Sequence, residues 1–200
     1  MDVTLSDCEI SSLGSASLAS PLRARSHGGG FISASARVLL GATTDELQPF
    51  LSGLAHPPTF ELAGPRDRLY FDPTQVGCGV VTCGGLCPGL NDVLYSLTMS
   101  LRRLYGVTRV LGFRYGFAGL ANEDLAPMDL TEEEVRSVRG QAGSLLGTSR
   151  GPQNVGKMVD TLERNAIQIL FTVGGDGTLK GASALAEEIS RRKLNIAVIG

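Results

Sequence analysis

The sequence predicts an α/β fold built on a parallel sheet, and three observations carry that expectation. Two short apolar runs, at 78–83 and 167–173, each lead into a glycine-rich turn and then into an apolar pattern of helical period. A further apolar run at 107–113 follows the first of those helices, so that 80–113 reads as a β-α-β unit with parallel strands and a right-handed crossover. The 26 glycines cluster in turns and form no repeat, as many strand-to-helix connections require.

Composition bounds the possible partners. Two hundred residues, 42% apolar and 19% charged, suffice for one soluble globular domain with an extension. A net charge of −2 gives no footprint for a polyanion, so nucleic acid is not expected as a partner. No apolar run approaches the roughly 20 residues of a membrane span, so no membrane partner is expected either. Cys8, Cys78, Cys83 and Cys87 lack the spacing of a disulfide framework, which favours reduced thiols in an intracellular compartment. A zinc site at Cys78, Cys83 and Cys87 lacks a fourth ligand at suitable spacing, with His27 and His56 far upstream. Buried or loop thiols are the expectation there, and a redox role for Cys83 or Cys87 is the alternative.

Taken in order, residues 1–37 are rich in Ser, Ala and Gly, carry Arg23, Arg25 and Arg37, and have acids only at Asp2, Asp7 and Glu9. They read as an organelle transit peptide or as a disordered tail. Pro49, Pro57, Pro58 and Pro65 break any long element in 38–76, which reads as an extended N-terminal arm. The domain proper spans 77–200. After its first strand, Gly84-Gly85-Leu86-Cys87-Pro88-Gly89 turns the chain into a helix over 90–105, with Val93, Leu94, Leu97, Leu101 and Leu104 at helical spacing. The strand at 107–113 gives way to a glycine-punctuated loop over 114–120. Thr131-Glu132-Glu133-Glu134 has capping-box form and opens a short helix to about Arg139, its acids facing solvent.

Arg150 stands among small residues just before a helix over 154–164 that puts Val155, Met158, Val159 and Leu162 on one face. It is either an ordinary surface arginine or a bidentate phosphate ligand reaching into a crevice. The strand at 167–173 enters Gly174-Gly175-Asp176-Gly177-Thr178, and a helix is expected from Leu179 to Arg192. That helix turns Leu179, Ala182, Leu185, Ala186 and Ile189 inward and sets Glu187–Arg191 and Glu188–Arg192 as outer pairs. A last strand covers 195–199. The sequence stops at Gly200, where a functional loop is expected, and reads as cut there.

The loop at 174–178 carries the chemistry. Glycines let a backbone approach a ligand closely, and loop N–H groups with the positive end of a following helix favour phosphate. Asp176 would repel phosphate oxygens unless a divalent cation lay between, so a magnesium-bridged nucleotide fits both features. A tight turn with Asp176 as helix N-cap is the plainer alternative. Loops at the carboxyl ends of parallel strands face the ligand crevice, which puts both glycine loops on one edge of the sheet.

Four ordered segments now carry a resemblance: 80–91 (VVTCGGLCPGLN), 116–120 (GFAGL), 147–151 (GTSRG) and 174–178 (GGDGT). In order and approximate spacing they resemble the 6-phosphofructokinase family. The stretch 63–71 (AGPRDRLYF) and the cysteine-flanked first loop resemble its plant-type, ATP-dependent form. The resemblance covers 63–200 and implies the N-terminal, nucleotide-binding part of the phosphofructokinase fold, a three-layer sandwich. It implies transfer of the γ-phosphoryl group of ATP to the 1-hydroxyl of fructose 6-phosphate, in glycolysis, with Mg²⁺ as cofactor and a homo-oligomer, a homotetramer in the family, as the assembly. By motif, Gly84 and Gly85 line the nucleotide and Arg150 and Gly151 contact ATP. Gly175, Asp176, Gly177 and Thr178 wrap its phosphates, and Asp176 holds the metal. Gly177 stands where pyrophosphate-using relatives carry an aspartate, which points to ATP. The proton-abstracting aspartate and most sugar ligands are expected beyond Gly200, so these residues alone are expected to hold part of the ATP site without completing catalysis. A plant-like context makes the plastid the expected address, with the cytosol as alternative. NAD kinases and lipid kinases share only the loop at 174–178, and a non-catalytic nucleotide-binding module is the third reading.

Overall fold

The computed structural model describes residues 8–24, 30–41, 43–50 and 56–200. The reading of 1–37 as a tail or transit peptide falls in part on 1–7 and 25–29, outside the described residues. The chain divides into two units, Met1–Tyr70 and Phe71–Gly200.

The first unit is built of short pieces: β1 (Leu18–Ala19), β2 (Arg37–Leu39), α1 (Thr44–Leu47), β3 (Thr59–Glu61) and β4 (Arg68–Leu69). β1 pairs antiparallel with β4, and β2 with β3. A reciprocal capping box between Thr43 and Glu46 starts α1. Arg66 donates to the carbonyls of Ile32, Ser33 and Leu62, and Arg23 is paired with Asp67.

The second unit runs β5 (Gly77–Thr82), α2 (Leu90–Met99), β6 (Arg109–Phe113), α3 (Gly116–Leu120), β7 (Met128–Asp129), α4 (Glu132–Ser137), α5 (Val155–Arg164), β8 (Ile169–Val173), α6 (Asp176–Arg191) and β9 (Ala197–Ile199). Its sheet has the order β7-β6-β5-β8-β9, parallel except for β7. All six residues of β5 are buried, as its uninterrupted apolar run requires of a central strand covered on both faces. Alternate side chains go to opposite faces. Val81, Phe113 and Leu170 pack with Val159, Leu162, Leu185 and Ile189 of α5 and α6, while Cys78, Val80 and Val110 pack with Leu94 and Leu101. The result is the expected α/β arrangement of helices on both faces of a mostly parallel sheet.

Four local expectations are corrected. The last long helix begins at Asp176, three residues before the expected start, because the Gly175 carbonyl already accepts from Thr178 and Leu179 at 2.8 and 3.1 Å. Its buried stripe is therefore Thr178, Ala182, Leu185 and Ile189, and Leu179 and Ala186 turn outward. Residues 116–120 form α3, entered through Tyr115 at φ 58° with its N–H on the Leu146 carbonyl at 2.7 Å. The helix over 90–105 passes into a π-helical turn at Ser100–Tyr105, and Val93 and Leu104, on one side of the expected apolar stripe, are exposed at 44% and 40%. Arg191 pairs with Glu188 one turn back, where Glu187 was expected, and Arg192 reaches Glu188, Asp160 and Glu163, tying α6 to α5.

Candidate functional site

β5 and β8 are parallel neighbours, so the glycine loops that follow them share one edge of the sheet. From β5 the chain crosses to β6 on one side and later returns to β8 on the other. The gap between β5 and β8 is thus the topological switch point, where open α/β sheets form their ligand crevice. The Cys83 N–H donates to the Val173 carbonyl at 2.9 Å and joins the two loops at their roots.

A third segment, 141–151, closes the site. The Gly84 N–H donates to the Ser149 carbonyl at 2.9 Å, and the Ser149 Oγ accepts from the Ala118 N–H at 3.2 Å. These bonds set Arg150 against Gly85 so closely that a Cβ at Gly85 would lie 3.1 Å from Arg150 Nη2. Gly84 itself has φ +82°, a conformation that suits glycine. The bare backbone at 84–85 is therefore matched to the guanidinium above it.

The N-terminus of α6 faces the same space. Gly175 is the cap residue and Asp176 and Gly177 open the first turn, all three exposed, with no atom within 4 Å of a Cβ built at Gly175 or Gly177. The N–H groups of Asp176 and Gly177 have no intrahelical acceptor, so the positive end of a 16-residue helix is directed into the opening. Thr178 differs from its neighbours: it is 4% exposed, with its hydroxyl beneath Gly174.

The loops enclose a cleft of about 650 Å³ whose lining includes Gly84, Gly85, Arg150, Gly151, Gly175, Asp176, Gly177 and Thr178. All eight residues singled out in the sequence are thus brought to one place. Lys180, Phe117 and Met158 also line it and are not among the site residues read from the sequence. Lys180 is four residues beyond Asp176, on the same helix face, and a helix started at Asp176 would have revealed it. The cleft lining includes the charged residues Arg150, Asp176 and Lys180 and the apolar residues Phe117, Val155 and Met158. That mixture suits a ligand with both phosphate and apolar parts.

Cys83 is 5% exposed in the wall of this cleft. Burial pushes its thiol up to about 11, partly opposed by a hydrogen bond from the Phe117 backbone, and burial pushes Cys78 up to about 12. Both are held as unreactive thiols at neutral pH. Cys87 is exposed and donates to the Pro88 carbonyl at 3.3 Å.

The phosphofructokinase family model matches residues 77–200, more than half of the sequence. The chain belongs to the phosphofructokinase family. It is 52% identical over 141 residues to an ATP-dependent 6-phosphofructokinase of Trypanosoma cruzi, covering 70% of this chain and 29% of that one. It is 44% identical over 138 residues to ATP-dependent 6-phosphofructokinase 5, chloroplastic, of Arabidopsis thaliana, covering 69% and 26%. The chain thus spans less than a third of the length of these two relatives. Among solved structures it resembles a pyrophosphate-dependent phosphofructokinase from Marinobacter aquaeolei, with TM-score 0.57, 17% identity and coverage of 62% and 32%. It also resembles phosphofructokinase from Saccharomyces cerevisiae, with TM-score 0.51, 22% identity and coverage of 62% and 19%. At these identities the structural likeness establishes the phosphofructokinase fold.

Proposed function

We propose that this chain supplies the nucleotide side of an ATP-dependent 6-phosphofructokinase, which transfers the γ-phosphoryl group of ATP to the 1-hydroxyl of fructose 6-phosphate. The observation that carries the reading is the convergence of two glycine loops, Arg150 and the N-terminus of α6 on one cleft at the switch point of the sheet. Phosphoryl transfer asks a protein mainly for positioning and for neutralisation of charge. Arg150 offers a bidentate fork to phosphate oxygens, and the free N–H groups of α6 offer fixed dipoles. Gly84, Gly85, Gly151, Gly175 and Gly177 keep the backbone accessible, and apolar residues of the lining would take the base.

Asp176 fits Mg²⁺: its carboxylate is exposed beside phosphate-accepting backbone. Among the described residues no cluster of three metal-ligating side chains exists, so phosphate oxygens and water would complete the shell, as magnesium prefers. The ion would neutralise charge on the phosphates. Gly177 supports ATP as donor, because no side chain narrows the opening there. Fructose 6-phosphate, its proton acceptor and a homo-oligomeric assembly extend the proposal to the whole enzyme, and the sugar side is assigned to no residue of this chain. A plastid address is proposed from the chloroplastic relative and the Ser- and Arg-containing residues 1–37. Among the described residues no helix is long and apolar enough to cross a membrane.

Calorimetry with Mg-ATP tests the reading. The chain is expected to bind, Arg150→Ala and Asp176→Ala each to weaken binding at least tenfold, the size of a lost charge-assisted contact. A folded chain that binds no nucleotide, or variants that bind as the parent does, would overturn it.

A further inference from the structure

Segment 141–151, which carries Arg150, has neither helix nor strand of its own, so its backbone must find hydrogen bonds elsewhere. Backbone groups supply some of them, Tyr115 N–H to the Leu146 carbonyl and Gly147 N–H to the Ser144 carbonyl among them, and two buried side chains supply more. Asn91, 3% exposed in the first turn of α2, donates from Nδ2 to the Gln141 carbonyl at 3.1 Å and accepts at Oδ1 from the Leu145 N–H at 2.7 Å. Thr82, fully buried at the end of β5, donates its one hydroxyl proton to the Gly147 carbonyl at 2.6 Å. It must then accept from Ser144 Oγ in their 2.9 Å contact. Both side chains are buried, so removing either takes a hydrogen-bond partner from this segment on its buried side.

Both residues flank the first glycine loop, at the last position of β5 and the second of α2. The segment they hold passes straight on to Ser149, whose carbonyl receives the Gly84 N–H, and to Arg150 above Gly85. These hydrogen bonds act together with the Gly84–Ser149 and Tyr115–Leu146 backbone bonds on the spacing between the glycine loop and the arginine.

We propose that Thr82 and Asn91 are positioning residues for the nucleotide, a buried two-point latch that sets Arg150 against Gly85. Neither touches the cleft, and both act through Arg150. The proposal deepens the nucleotide reading and rests on it.

The test is a thermodynamic cycle on the whole chain, with Mg-ATP as probe. Thr82→Val keeps the shape and removes the hydroxyl; it should weaken Mg-ATP binding about tenfold, as the loss of a buried hydrogen bond would. Thr82→Ser should restore it. In an Arg150→Ala background Thr82→Val should make no further difference, whereas a merely structural role would cost as much there as in the parent. Asn91→Ala should repeat the pattern if Thr82→Val does not fold. Amide hydrogen exchange gives a readout independent of nucleotide: the Gly84 amide should exchange faster in Thr82→Val and the Leu145 amide faster in Asn91→Ala. Unaltered exchange in both variants, or an additive cycle, overturns the latch. Absence of Mg-ATP binding by the parent overturns the nucleotide reading and the role through Arg150, and the exchange rates tell that outcome apart from failure of the latch itself.

Discussion

Thr98 offers a test whose sign runs against the usual effect of a core substitution. It sits on the inner face of α2, completely buried between Leu94 and Leu101, and its hydroxyl finds no hydrogen-bond partner. A buried polar group left unpaired costs about 1–3 kcal/mol. Valine has nearly the same shape, and both residues are β-branched with similar helix propensity, so Thr98→Val changes little beyond removing that cost. We expect a gain of about 1–2 kcal/mol, which for a chain of this length is about 2–8 °C in Tm. Urea unfolding followed by circular dichroism should show a higher midpoint at unchanged m. Thr98 lies two turns along α2 from the glycine loop, so Mg-ATP affinity should stay where it was. Equal or lower stability would show that the hydroxyl has an acceptor in solution and that the inner face of α2 has been misjudged.

Three further outcomes follow from the same geometry. Gly177→Asp should fold, because no atom lies within 4 Å of a Cβ there, and should weaken Mg-ATP binding about a hundredfold, since like charges about 6 Å apart at an effective dielectric of 20 repel by about 3 kcal/mol; calorimetry on the variant checks this. Glu188 accepts hydrogen bonds from Arg191 and Arg192, which hold its carboxyl down at about 2 against an ordinary 4.5. Its stabilisation is then present above about pH 4.5 and lost as pH falls toward 2, so acid titration of Glu188→Gln should show a shallower loss of stability across that window than the parent. Iodoacetamide at neutral pH should alkylate exposed Cys87 and leave Cys83 unmodified, as peptide mass spectrometry would show; comparable labelling of both would mean that the wall of the cleft opens.

Legibility followed the range of the interactions. β5 and β8 were readable because a central parallel strand is apolar on both faces, and their loops because glycine has few other uses at a strand end. The start of α6 was misplaced because Gly177 is a poor helix former, while the bonds that begin the helix come from the Gly175 carbonyl and from burial of Thr178. That three-residue error hid Lys180 and put Leu179 in the core. The π-helical turn after Met99 has no signal in apolar spacing. Thr82 and Asn91 were unreadable as parts of the site for a different reason. Their partners lie 62 and 65 residues from Thr82, and 50 and 54 from Asn91, distances at which only the fold shows which polar residues meet.

The most direct test of the nucleotide assignment is an amide-resolved NMR titration of the chain with Mg-ATP. The account predicts shifts concentrated at Gly84, Gly85, Gly151 and Gly175–Thr178, with smaller ones at Lys180 and Phe117 on the cleft walls. Saturable binding whose shifts fall elsewhere, with these amides unmoved, would contradict it.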